Sequence, residues 1–227
     1  MNSIAESIEA IRGRIQQFEQ CYDMPANSVK LVAVSKKQPV EKIHQAFAAG
    51  IKDFGENFLQ EALEKIELLK DLGLTWHFIG PIQANKTRGI AEKFDWVHSV
   101  DREKIARRLS EQRLHARAPL NVCVQVNLSK EPSKSGIILD SARQLCETIA
   151  QLPNLNLRGL MAIPAPLPDY DSQRACFHVL ATEFARLARK FPTMDTLSMG
   201  MSNDFEAAIA EGSTMVRIGT AVFGARE

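Results

Sequence analysis

"LVAVSKKQPVEKIHQAFAAG" (residues 31–50) decides the fold. Its first four residues form an apolar run, ending at Ser35, suited to a buried strand. Pro39 then stands near the start of a helix that carries Val40, Ile43 and Phe47 on one side and ends at Gly50. The stretch therefore reads as a strand followed by a helix, and the same reading repeats in both directions along the chain. "IKDFGEN" leads into Leu59, Leu63, Ile66 and Leu69, "LTWHFIG" into "NKTRGIAEKF", and "FDWVHSV" into Ile105, Ala106 and Leu109. "LNVCVQVNL" precedes Leu145 and Ile149, "LNLRGLMAI" precedes Phe177, Leu180, Phe184 and Leu187, "TLSMG" precedes Phe205 and Ile209, and "TMVRIGTAVFG" closes the series. About eight strand-then-helix units over roughly 200 residues match a single (β/α)8 barrel of the TIM type in the α/β class. A doubly wound open sheet is the alternative, disfavoured because no GxGxxG follows the first strand. Before the series, Ser3 and Glu6 have capping-box spacing. Ile4, Ile8, Ile11, Ile15 and Phe18 follow at helical intervals, which predicts an extra N-terminal helix.

The bulk properties are those of an ordinary soluble protein. Of 227 residues, 45% are hydrophobic and 24% charged, and 28 Lys+Arg face 27 Asp+Glu for a net charge of +1. Such a balance gives no electrostatic reason to expect nucleic acid or an anionic membrane as partner. No leader-like or membrane-length apolar span is visible, so the cytoplasm is the expected location. Residues 1–227 are expected to form one domain, since no linker or low-complexity segment interrupts them. Cys21, Cys123, Cys146 and Cys176 lie far apart, which suggests neither zinc nor disulfides but small, reduced, mostly buried side chains. No metal site is expected.

In a barrel of this type the site lies at the C-terminal mouth, so polar residues at strand ends are the ones to weigh. The first strand is expected to end at Lys36, the second near Asn57, the third at Ile79 and Gly80, and the fifth at Asn127. The sixth should end at Met161, the seventh within "SMGMS" (198–202), and the eighth in Arg217, Gly219 and Thr220. Alternation places Val32, Val34 and Lys36 on one face of the first strand and Met215, Arg217 and Gly219 on one face of the last. Barrel closure makes those two strands neighbours, roughly 5 Å apart, so Lys36 and Arg217 can approach one bound molecule. Lys37 has the opposite parity, and a solvated role suits it.

A lysine facing inward beside an arginine is pushed towards the free amine by desolvation and by the like charge. An ordinary lysine, with a pKa of about 10.4, is neutral in only about one copy in 2500 at pH 7, so this push decides reactivity. A free lysine amine attacks aldehydes, and Schiff-base formation is the natural chemistry for Lys36, with a rim lysine paired to a carboxylate as the plain alternative. Ser202 and Asn203 precede a helix, and Gly219 and Thr220 begin the last turn. Both loops could aim N–H groups at an anion, as loops after the seventh and eighth strands of this fold often do. An aldehyde that also carries a phosphate matches pyridoxal phosphate, and sugar phosphates handled by a Schiff-base aldolase match almost as well.

The motifs "LVAVSKK", "DFGENFLQE", "WHFIGPIQANK", "VNLSKEPSKSG", "GLMAIP" and "LSMGMSNDFEAAIAEGSTMVRIGTAVFG" together resemble the pyridoxal phosphate homeostasis proteins (YggS-like proteins), related to the N-terminal barrel of alanine racemase. The resemblance covers nearly the whole chain. It implies a cytosolic barrel that holds pyridoxal phosphate as a Schiff base on Lys36, without established catalytic turnover, in vitamin B6 cofactor homeostasis. It further implies that Ser202, Gly219 and Thr220 hold the phosphate, that Arg217 faces the pyridine nitrogen, and that Asn57 and Met199 line the pocket. Apo-enzymes that use pyridoxal phosphate would be the recipients, and a monomer is expected. A racemase-like enzyme or a Schiff-base aldolase using the same lysine is the alternative.

Three other features fit less directly. His77 and His98 fall on or near the third and fourth strands and read as packed or hydrogen-bonded structural histidines, for which no carboxylate partner can be assigned. "REKIARRLSEQRLHAR" (102–117) concentrates arginines, but its interspersed glutamates fit a solvated barrel helix better than RNA binding. "SKEPSKSG" (129–136) is a polar loop at the mouth, either a lid or an ordinary exposed loop.

Overall fold

The computed structural model describes residues 3–129 and 135–224. Strands β1 (Lys30–Val34), β2 (Asp53–Glu56), β3 (Thr75–Phe78), β4 (Trp96–Val100), β5 (Leu120–Val126), β6 (Leu155–Ala162), β7 (Thr196–Ser198) and β8 (Met215–Ile218) pair in sequence order. Every pairing is parallel, and β8 closes on β1 with Val32 opposite Arg217. Between the strands run α2 (Val40–Ala48), α3 (Leu59–Leu68), α4 (Thr87–Lys93), α5 (Glu103–Gln112), α6 (Ala142–Ala150), α7 (Tyr170–Ala188) and α8 (Phe205–Ala210). The short α9 (Thr220–Phe223) follows β8, and α1 (Ile4–Cys21) precedes β1. This is the (β/α)8 barrel with an extra N-terminal helix that the alternating pattern predicts.

The local causes are visible at the first helix. Ser3 Oγ accepts from Glu6 N–H at 3.2 Å while Glu6 Oε2 accepts from Ser3 N–H at 2.7 Å, so the capping box satisfies two end donors of α1. Ile8, Ile11, Ile15 and Phe18 are buried, and α1 packs on α2, α8 and α9 across the seam where the barrel closes. Glu19 is buried as well, because its carboxylate accepts from Asn27 N–H and Val29 N–H and so ties the α1 exit to the start of β1.

Two apolar cores result. One lies between sheet and helices, and a smaller one, Val32, Trp96, Cys123, Met161 and Met215, fills the barrel interior. Cys123 and Cys146 are buried with thiols pushed up to about 12 by burial, but Cys21 is exposed and Cys176 half-buried, so burial holds for only part of the expected set. The arginine-rich segment is structural. Arg107 pairs with Glu103, Arg117 with Asp95, and Arg113 donates to the carbonyls of Ala91, Phe94 and Ala118. No helix among the described residues is long and apolar enough to cross a membrane.

Candidate functional site

Most strands stop one or two residues short of the expected ends. β1 ends at Val34 and β8 at Ile218, so Lys36 and Gly219 lie in loops just beyond the sheet and Thr220 opens α9. These loops surround a cavity of about 340 Å³ at the C-terminal mouth. Lys36, Asn57, Ser202, Arg217, Gly219 and Thr220 all line it, which brings together residues spread over most of the chain. Met199 does not line it. That side chain is fully buried in the outer core, and Met201 faces the cavity instead. Val34, Ile79, Ile163, Pro164, Leu167 and Asp204 also line the walls.

The two lysines part company at the end of β1. Lys36 is half-buried on the cavity wall, whereas Lys37 is exposed and takes a left-handed backbone with φ of 58°. A buried ion cluster holds this turn. Lys65 Nζ donates to Ser35 O at 2.7 Å, Glu56 Oε1 at 2.8 Å and Glu61 Oε1 at 2.5 Å, and Glu61 Oε1 also accepts Lys37 N–H at 2.6 Å. Ser35 Oγ donates to Glu56 Oε1 at 2.7 Å. Burial raises the Glu56 carboxyl above its ordinary value, with Lys65 and Ser35 opposing the rise. The cluster thus holds the Ser35 carbonyl and the Lys37 amide, the backbone on either side of Lys36.

Arg217 is almost fully buried. One of its amino groups donates to Ser198 Oγ at 2.6 Å and the other to Ala162 O at 2.9 Å, which leaves further N–H groups to serve the cavity. Burial lowers its pKa to about 10, against a rise from Asp204, so the guanidinium stays cationic at neutral pH. Ser202 Oγ accepts from Ala221 N–H at 3.4 Å and ties the β7–α8 loop to α9. Asp204 accepts from Met201 N–H at 2.6 Å, and burial raises its carboxyl above the usual range, opposed by that N–H and by Arg217. Two glycines shape the walls by close approach. A Cβ at Gly80 would stand 2.2 Å from Asn57 O, and one at Gly200, where φ is 95°, would stand 2.7 Å from Ala208 Cβ.

The histidines have the carboxylate partner that sequence reasoning could not assign. His98 Nδ1 lies 2.8 Å from Ser198 Oγ, His98 Nε2 lies 2.9 Å from His77 Nδ1, and His77 Nε2 lies 3.0 Å from Asp53 Oδ1. Both rings are fully buried, and burial pushes His77 below its ordinary value and His98 well below it. Asp53 meets His77 because β2 and β3 pair in the register that sets Asp53 beside Thr75 and Gly55 beside His77. Sequence alone carries no register. Residues 130–134 of the polar loop, on which the expected lid falls, lie outside the described residues.

With this geometry in hand, comparison with known proteins is specific. The model of the family described as alanine racemase, N-terminal domain, matches residues 7–227. The chain is 54% identical over 231 residues to the pyridoxal phosphate homeostasis protein of Vibrio cholerae, covering 100% of this chain and 98% of that one. It is 56% identical over 227 residues to the protein of the same name in Pseudomonas aeruginosa, covering 100% and 97%. Among solved structures it resembles PipY of Synechococcus elongatus with PLP bound, at a TM-score of 0.84 and 38% identity, covering 98% of this chain and 100% of the other.

Proposed function

The chain belongs to the pyridoxal phosphate homeostasis proteins, built on the alanine racemase N-terminal domain, and from that membership we propose that it binds pyridoxal phosphate at the barrel mouth to hold and supply the cofactor rather than to turn over a substrate. The observation that carries the assignment to these residues is the cavity itself. A half-buried lysine, a buried cationic arginine and the loops of Ser202 and Gly219–Thr220 face one volume of about 340 Å³, within the ordinary range for a small-molecule site. The residues present also fit the group on a separate ground. Asn57 Oδ1 is buried at this wall with no hydrogen-bond partner among the described residues, a state that costs about 1–3 kcal/mol unless a ligand donor answers it.

Pyridoxal phosphate brings an aldehyde for a lysine amine, a phosphate, and a pyridine ring that withdraws electrons most strongly when its nitrogen is protonated. Lys36 is the amine placed to take it, and Ser202 with Gly219 and Thr220 is placed to hold the phosphate. Arg217 can only donate, so against the ring nitrogen it keeps that nitrogen unprotonated. Carbanion chemistry is then poorly supported, which suits a reservoir better than a racemase. The same reading places the protein in the cytoplasm as a monomer that passes its cofactor to apo-enzymes.

The test separates a carrier from an enzyme. The loaded protein is incubated with each amino acid in deuterated water, and exchange at the α-carbon is followed by mass. No exchange above that of free pyridoxal phosphate is expected. Rapid exchange abolished by Lys36→Ala would establish turnover and defeat this reading.

A further inference from the structure

One hydrogen-bonded chain runs through the buried interior from the cavity to a half-buried carboxylate at the opposite end of the barrel. It starts at Arg217 on β8, passes Ser198 on β7, His98 on β4 and His77 on β3, and ends at Asp53 on β2, each link between 2.6 and 3.0 Å. Lys30 Nζ closes it from outside at 3.2 Å from the same Asp53 oxygen. Asp53 and Lys30 line a separate cavity beside Arg12 and Lys52, whereas Arg217 lines the mouth. Around the chain lie the apolar side chains of the barrel interior, and Trp96 stacks on His77 at 5.6 Å.

The two ends fix the direction of every link. Arginine has no acceptor, so Ser198 Oγ accepts from it; the hydroxyl oxygen could accept twice, and it is the acceptor-only Asp53 carboxylate at the other end, acting through two neutral rings, that leaves Ser198 to give its own proton to His98 Nδ1. His98 must then carry its proton on Nε2 and donate to His77 Nδ1, and His77 must carry its proton on Nε2 and donate to the Asp53 carboxylate. Each histidine is neutral, each polar atom in the chain is satisfied, and no link can reverse alone. Reversal becomes possible only when Asp53 gains a proton and can donate, which strands the Ser198 hydroxyl hydrogen beside the guanidinium. Low dielectric makes such a chain cooperative, so a change at one end is transmitted rather than absorbed.

We propose that Ser198, His98, His77 and Asp53 are positioning residues for Arg217, a one-way relay that fixes the guanidinium against the mouth cavity and makes that cavity respond to the charge of a carboxylate at the far rim of the barrel. Its effect on a bound group rests on the assignment of Arg217 to the ring nitrogen of pyridoxal phosphate. The titratable groups that bear on the relay are few. Asp53, Lys30 and Asp95 act on His77, His77 and Arg217 act on His98, and Asp204 and Cys123 act on Arg217. Asp53 itself is raised by burial but lowered more by His77 and Lys30, which leaves it ionised at neutral pH.

Nuclear magnetic resonance of the full chain labelled with 15N-histidine reads the relay directly, with the exposed His44, His115 and His178 as internal controls. His77 and His98 are expected to be neutral and protonated on Nε2 at pH 7 and above. A proton on Nδ1 of either, or ordinary titration of His98, overturns the proposal. Asp53→Asn removes the anchoring charge while keeping the shape. It should mix the tautomers of both histidines and move the pH midpoint of the absorbance of bound pyridoxal phosphate by a few tenths of a unit, with near-UV circular dichroism unchanged. A folded D53N with wild-type tautomers and midpoint contradicts the relay. Should D53N fail to fold, Lys30→Met weakens the same end from solvent and must shift both readouts in the same sense; no shift overturns the proposal. The tautomers are read without cofactor, so a wild-type protein that takes up no pyridoxal phosphate defeats the assignment of the cavity while the histidine signals still decide the relay.

Discussion

Lys36 and Lys37 are adjacent, chemically identical and differently placed, and a buried ion cluster holds the backbone on either side of Lys36. Lys65, with only 6% of its side chain exposed, bridges Glu56, Glu61 and the Ser35 carbonyl, and Glu61 in turn holds the Lys37 amide. Lys65→Met removes the cation from two carboxylates, one of them fully buried, so a loss of about 3–5 kcal/mol in urea unfolding is expected. A loss below about 1 kcal/mol would mean that the cluster is not the clamp described. The different placement of the two lysines was legible in the sequence because parity along a five-residue strand survives two residues past its end. Met199 was not. The resemblance, not the strand pattern, put it in the pocket: with Ser198 facing the interior, alternation sends Met199 to the outer core, and the turn at Gly200, φ 95°, brings Met201 to the wall.

At the scale of elements, the site depends on how loops meet rather than on any one helix. Gly200 ends the β7 strand direction, its carbonyl accepts Arg217 N–H at 3.0 Å, and its α-carbon leaves no room for a side chain beside Ala208. Gly200→Ala therefore strains the backbone and moves the loop that carries Ser202. Destabilisation of about 1–3 kcal/mol, together with weaker pyridoxal phosphate binding by absorbance titration, is expected. Unchanged stability and binding would show that this loop is not set by Gly200. Strand and helix order, the α1 capping box and the mouth location were readable from periodicity, because a parallel barrel with buried strands writes its elements as apolar runs between punctuation. The pairing of Asp53 with His77 was not readable, since it depends on strand register and barrel closure, which no local pattern encodes.

Over the whole molecule the buried histidines couple folding to pH. Their folded pKa values lie below the ordinary 6.5, so the unfolded chain binds more protons as pH falls through that value. The histidines' contribution to stability is thus full above about pH 6.5 and is lost on acidification, by up to about 1.4 kcal/mol per pH unit for each histidine that stays neutral. The carboxylates held low, such as Asp53 and Asp195, act in the same direction but only at more acid pH, below their ordinary 3.8. His98→Gln removes one of the two contributions. Urea midpoints measured between pH 7 and 5 should fall less steeply in H98Q than in the wild type, and parallel slopes would refute a neutral, buried His98. The barrel as a whole brings one amine, one cation and the segments of Ser202 and Gly219–Thr220 to a single cavity. Covalent capture of the aldehyde by Lys36 is the claim on which the rest depends, and borohydride reduction of the protein saturated with pyridoxal phosphate, followed by tandem mass mapping, tests it most directly. A pyridoxyl group on Lys36 is predicted; its absence, or its presence on Lys37 alone, would contradict the account.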